Sequence, residues 1–100
     1  MMTSPTSLSA DEIDLNESSR EGWTFETQPN RLCKTFTFSN FHETMAFVNA
    51  LAWIAHSMDH HPDFTVGYKT CEVTYTTHSA GGVTMLDLDA AERVNGLLSS

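Results

Sequence analysis

The sequence predicts an α+β fold in the order α-β-β-α-β-β-α, with the helices packed on one face of a four-stranded antiparallel sheet. Short runs of alternating apolar and polar residues come in two pairs, one over 23–38 and one over 64–77. A longer stretch with apolar residues at helical spacing separates them, and helix-start signatures stand at Ser9, Asn40 and Thr84.

Residues 1–7 are Ser, Thr and Pro with two Met, and read as a loose tail before a single domain over 8–100. Ser9-Ala10-Asp11-Glu12 has the form of a capping box, with Leu8 and Ile13 at the positions of a hydrophobic staple. A short acidic helix over about residues 10–18 is expected to follow, ended by Ser18-Ser19 and Gly22. Trp23-Thr24-Phe25-Glu26-Thr27 alternates, and Gln28-Pro29-Asn30 breaks it. The next run, Leu32 to Phe38, puts Leu32, Lys34, Phe36 and Phe38 on one side, which predicts an antiparallel hairpin.

Ser39-Asn40 opens the longest helix, with Glu43 three residues after Asn40. Phe41, Met45, Val48, Ala52 and Ala55 form one apolar row, and Phe47, Leu51, Ile54 and Met58 a neighbouring one. Together they predict a wide face lying across the sheet, with Trp53 at its border and core packing as its role. Phe64-Thr65-Val66 and Tyr68 to Thr77 predict a second strand pair, with Val73 and Tyr75 on one face and Thr74 and Thr76 on the other. Ser79-Ala80-Gly81-Gly82 reads as a flexible loop. Thr84-Met85-Leu86-Asp87 is a further capping box, flanked by Val83 and Leu88 as a staple. The closing helix takes its stripe from Leu88, Ala91, Val94 or Asn95, and Leu98.

Composition narrows the function. One hundred residues suffice for one domain with its own core, and 40% hydrophobic with 18% charged residues is ordinary for a globular protein. No stretch is apolar enough to span a bilayer, and Met1 to Pro5 shows no secretory signal, so a cytoplasmic protein is expected. Cys33 and Cys71 form no CxxC pair and are expected to be free thiols. The formal charge is −8; residues 1–30 hold six acids and one base, and residues 31–100 hold seven acids and four bases. Arg31, Lys34, Lys69 and Arg93 are too few and scattered for a phosphate-binding face, which argues against direct nucleic-acid binding and against anionic membranes.

The chemistry concentrates in His56-Ser57-Met58-Asp59-His60-His61-Pro62 and Thr77-His78-Ser79. Four of the five histidines fall within these segments. Histidine changes charge near neutral pH without special tuning. Pro62 holds His61 extended, so a helix carrying His56 stops near Asp59 and leaves His60 and His61 at its mouth. A metal reading is weak: His56 and His60 have the spacing of HExxH ligands, but no glutamate follows His56 and no cysteine is near. Proton transfer is better supported, because the helix C-terminus and Asp59 both favour imidazolium. Spacing alone also allows histidines that only hydrogen-bond loop backbone. Nucleophilic catalysis finds no G-x-S-x-G elbow and no base beside either cysteine.

The pattern His56, His60-His61-Pro62, Tyr68, His78 and Asp87 resembles, in residue type and spacing, the signature of the pterin-4a-carbinolamine dehydratases. Gly22-Trp23, Phe36-Thr37-Phe38 with Phe41, Ala46-Phe47-Val48 and Thr77 to Thr84 are similar to that family as well, so the resemblance covers roughly residues 8–98. It implies dehydration of 4a-hydroxytetrahydrobiopterin to quinonoid dihydropterin and water, in tetrahydropterin recycling beside a pterin-dependent aromatic amino acid hydroxylase. By the same resemblance, His60 and His78 are acid/base residues serving the 4a-hydroxyl, and His61 binds and orients the pterin and shares the proton work. Asp59, Pro62, Thr77, Asp87 and His56 would be binding or supporting groups. No metal or cofactor is implied, and homodimers or homotetramers are. His56 stands where the family more often has an acid, and Leu88 follows Asp87 where some members have tryptophan. Relatives of this fold also include non-catalytic dimerisation or assembly cofactors, which is the alternative reading.

Overall fold

A computed structural model of the chain describes residues 6–98. The tail expected over residues 1–7 lies outside the described residues up to residue 5; residues 6 and 7 are exposed and without regular structure. Four strands, β1 (Thr24–Glu26), β2 (Arg31–Thr37), β3 (Asp63–Val66) and β4 (Thr70–Tyr75), form one sheet in the order β1-β2-β4-β3. Every pairing is antiparallel. Two helices, α1 (Phe41–Met58) and α2 (Met85–Gly96), complete the expected α+β architecture.

The register brings Leu32 opposite Tyr75 and Phe36 opposite Cys71, so the alternation in both central strands turns one side toward the helices. On that side Leu32, Phe36, Cys71, Val73 and Tyr75 meet Phe47, Leu51 and Ile54 of α1, and Leu88, Ala91 and Val94 of α2, in one buried cluster. Trp23 closes it, 6.0 Å from the Phe36 ring and 6.3 Å from the Tyr75 ring. Each fully buried large side chain here is worth about 1.5–3 kcal/mol of transfer free energy. Cys33 and Cys71 are free, and burial pushes both thiols up.

The first predicted element differs. In place of one helix over 10–18 there are two single 3₁₀ turns, Ala10–Glu12 and Ser18–Arg20. The Ser9 start signal works, since the Ser9 N–H donates to Glu12 Oε1 at 2.9 Å. The Asn16 N–H then donates to Asp14 Oδ1 at 2.9 Å, a local turn that competes with the helix. So short a segment cannot repay helix nucleation, and Leu8, Ile13 and Leu15 instead pack individually against the core.

The helix faces also differ from a simple stripe. On α1, Thr44, Phe47, Leu51, Ile54 and Ala55 are buried, whereas Phe41 is 46% and Trp53 69% exposed. Of the predicted row through Phe41 and Ala52, those two are exposed, Met45 and Val48 are half-buried and Ala55 is buried, and Trp53 lies beyond the border. On α2 the choice between Val94 and Asn95 falls to Val94, which is buried, while Leu98 is exposed. Asn95 turns aside: its Oδ1 accepts from Trp23 Nε1 at 3.0 Å and Lys34 Nζ at 2.8 Å, and its Nδ2 donates to the Ser19 and Glu21 carbonyls.

Candidate active site

α1 delivers the first two histidines by the way it ends. Asp59 adopts the left-handed conformation (φ 51°, ψ 42°), and the His60 N–H reaches back to the Ala55 carbonyl at 3.0 Å. This is a Schellman-type stop, with aspartate in a position that usually takes glycine. Asp tolerates that region better than most residues, at some cost in backbone strain. The helix thus halts where Pro62 suggested, and His60 and His61 lie just beyond it.

The third histidine comes from the other side. Beyond β4, the Thr77 N–H donates to the Gly82 carbonyl at 3.0 Å and the Gly82 N–H returns to Thr77 at 3.3 Å. The segment expected to be a flexible loop is therefore a closed turn, with a 3₁₀ turn at His78–Ala80 and Gly81 left-handed at φ 74°. Glycine makes the latter conformation accessible without a Cβ penalty.

These two ends frame a hollow of about 320 Å³ lined by Asp59, His60, His61, Thr76, Thr77, His78 and Ser79. That volume is at the small end of ligand sites. His61, His78 and Asp59 are exposed around it. His60 is held differently. Its Nε2 lies 2.6 Å from Asp87 Oδ1, with 11% of the His60 side chain and none of Asp87's exposed. Its ring stacks on Tyr75 at 5.4 Å and 26°. The Asp87 carboxylate is itself anchored, because Oδ2 accepts from Thr77 Oγ1 and from the Thr84 N–H, both at 2.8 Å. An ionised carboxylate only accepts, so all three partners donate to it.

Three candidates do not line the hollow, one of them, Asp87, lying behind it and bonded to His60 and Thr77. His56 is exposed on α1 with its ring 6.0 Å from Trp53, and it contributes to the site region only through its carbonyl, which accepts the Asp59 N–H at 3.1 Å. Because α1 ends at Met58, His56 and His60 do not share a helix face as metal ligands would. Among the described residues no group of three His, Cys, Asp or Glu side chains is arranged to hold a metal ion. Pro62 shapes the chain after His61 but does not line the hollow.

Thr84 and Tyr75 support the site, and the sequence marks them only as part of a helix-start box and as one residue of a strand face. The capping box at Thr84 was the available signal for the first. Tyr75 gave none. Its hydroxyl is buried and has no hydrogen-bond partner among the described residues, and burial, with a smaller contribution from the Asp87 charge, pushes its phenol up to about 12. A second hollow of about 380 Å³ lies near the end of α2, but Ser19, Glu92, Lys34 and Asn95 in its wall are bonded to one another or to the nearby backbone.

The family profile described as Pterin 4 alpha carbinolamine dehydratase matches residues 6–97. A chain of Nitrosomonas eutropha, provisionally named a pterin-4-alpha-carbinolamine dehydratase, is 50% identical over 80 residues, which is 80% of this chain and 69% of that one. A chain of Nitrosospira multiformis with the same provisional name is 47% identical over 90% of this chain and 78% of its own length. Among solved structures, a transcriptional coactivator/pterin dehydratase from Brucella Melitensis superposes with a TM-score of 0.83 at 31% identity, covering 94% of this chain and all of its own. A pterin dehydratase-like protein identified as a RuBisCO assembly factor in the alpha-carboxysome superposes at 0.69 with 26% identity, over 82% of this chain and 95% of its own. No helix among the described residues is long and apolar enough to cross a membrane. Fold, relatives and a profile match over nearly the whole length agree: the chain belongs to the pterin 4 alpha carbinolamine dehydratase family.

Proposed function

We propose that this chain dehydrates 4a-hydroxytetrahydrobiopterin to quinonoid dihydropterin and water by histidine acid/base catalysis. The observation that carries the reading is the gathering of His60, His61 and His78, from two separate stretches of chain, around one hollow. The step balances without a cofactor. A protonated imidazole gives its hydrogen to the 4a-hydroxyl, the C4a–O bond breaks with water leaving, and a ring-nitrogen lone pair supplies the electrons. A neutral imidazole then takes the proton released from ring nitrogen. His60 and His78 fill the acid and base roles, and His61 binds and orients the pterin and assists the proton work. Asp59 supports them at the rim and Asp87 from beneath, with Thr77 between Asp87 and the hollow. A positioned acid or base contributes about 10²–10⁴-fold.

The reading extends to a working unit over residues 8–100, cytoplasmic action beside a pterin-dependent aromatic amino acid hydroxylase, and a homodimer or homotetramer. Assembly is supported by β3, a sheet edge whose Phe64 (42%), Val66 (37%) and following Tyr68 (68%) are exposed. Light scattering is expected to give twice or four times the chain mass. The fold neighbour identified as an assembly factor supports a second reading, a non-catalytic dimerisation or assembly cofactor of the same fold.

The deciding experiment follows freshly generated 4a-hydroxypterin by stopped-flow absorbance, with the wild type beside His60→Ala and His78→Ala. The enzyme reading expects acceleration by the wild type and a loss of about 10²-fold or more in each variant. A wild type no faster than buffer leaves the assembly role.

A further inference from the structure

We propose that Thr84 is a positioning residue that, through Thr77, holds the Asp87 carboxylate against His60 Nε2, so that the Nδ1 lone pair is the working atom of that ring. The inference rests on the proposed reaction for its consequence in rate, but not for its geometry.

One group at the head of this chain of bonds cannot reverse. The Leu86 N–H can only donate, and it lies 3.2 Å from Thr84 Oγ1. The single hydroxyl hydrogen of Thr84 must then point elsewhere, and Thr77 Oγ1 lies 2.9 Å away. Thr77 also has one hydrogen, and Asp87 Oδ2 lies 2.8 Å from its oxygen. If Thr77 donated to Thr84 instead, its lone pairs would face the carboxylate oxygen and the Thr84 hydrogen would lose its acceptor. All three side chains are buried, with Thr77 5%, Thr84 1% and Asp87 0% exposed, so bulk water cannot relieve such a mismatch. The chain therefore runs one way, from Leu86 N–H through the Thr84 and Thr77 hydroxyls to Asp87.

Its end point selects the histidine tautomer. Oδ2 receives both the Thr77 hydroxyl and the Thr84 N–H, which occupies that oxygen and leaves Oδ1 for His60. At 2.6 Å from a carboxylate that only accepts, Nε2 carries the hydrogen. The Tyr75 ring against one face of the imidazole restricts its tilt. Nδ1 is then the nitrogen left to exchange a proton with a molecule in the hollow. Thr84 touches no substrate. It acts by holding the direction of the bonds behind His60.

Nitrogen-15 NMR of the full chain, at a pH where the ring is neutral, tests the geometry without any activity. The wild type is expected to show His60 with hydrogen on Nε2 and bare Nδ1; the opposite tautomer overturns the proposal. Thr84→Val removes the hydroxyl that orders Thr77 behind Asp87 and is expected to keep the Nε2–H tautomer but to lower kcat about tenfold, a minor part of what a placed acid or base supplies, with KM within about twofold. Thr84→Ser is expected to restore kcat. A folded Thr84→Val chain with wild-type kcat, or one whose loss falls on KM, overturns the proposal, and so does a Thr84→Ser chain with kcat as low as about a tenth of wild type, should the valine variant not fold. A wild type inactive on the pterin sinks the proposed reaction, and the tautomer result then stands or falls on its own.

Discussion

The two helix starts use the same device in opposite surroundings. At α1 the Asn40 side chain accepts the Glu43 N–H at 2.8 Å, and the Glu43 carboxylate reaches back to the Ser39 N–H at 3.1 Å. All of these residues are exposed. At α2 Thr84 accepts the Leu86 N–H, and Asp87 returns to the Thr84 N–H, but both residues are buried. The returning acid at α2 is aspartate, one methylene shorter than the usual glutamate, so its carboxylate stays close to the helix start and within reach of Thr77 and His60. One cap only stabilises its helix. The other has been made the floor of a candidate active site, and burial accounts for the difference.

That contrast can be broken first at its buried acid. Asp87→Ala strands three donors in the interior and is expected to cost about 3–5 kcal/mol in urea unfolding, whereas Glu43→Ala should cost under about 0.5 kcal/mol. Equal losses at the two helix starts would remove the distinction. A smaller effect is expected at high pH. The Tyr75 phenol is raised from 10.0 to about 12 in the folded chain, mainly by burial, so the folded state binds that proton more tightly. The associated stability is complete below pH 10 and is lost as pH rises to about 12, by about 2–3 kcal/mol. Tyr75→Phe should flatten this alkaline slope and, by removing an unpaired buried hydroxyl, raise stability near neutral pH by up to about 1 kcal/mol. Urea midpoints measured from pH 8 upward check both. Smallest is Asn40→Ala, expected to cost about 1 kcal/mol with no change in dehydration rate. A rate loss there would show that the exposed cap also serves the site.

How much was legible in the sequence follows the reach of each signal. Strand alternation, the α1 period and the helix starts at Asn40 and Thr84 are local patterns, and they survive folding because the sheet and both helices bury the faces they define. The His60, His61 and His78 constellation was legible through motif spacing, and the structure gives it a common hollow. The acidic segment after Ser9 failed as a helix because Asp14 offers its own turn, and packing of Leu8, Ile13 and Leu15 outweighs a weak propensity. Tertiary placement decides the rest. Nothing local says that α1 leaves Phe41, Ala52 and Trp53 outside while the rest of its apolar face packs inward, or that His56 leans on Trp53 instead of the hollow. Thr84 and Tyr75 acquire their relation to His60 only when β4 and α2 are brought beside the end of α1.

The most direct test of the account is a titration of the full chain with oxidised biopterin, followed through its histidine ring signals. Saturable shifts of His60, His61 and His78 with one common Kd, and none at His42 or His56, are predicted. Absence of any shift at the three, or equal movement at His56, would contradict the site described.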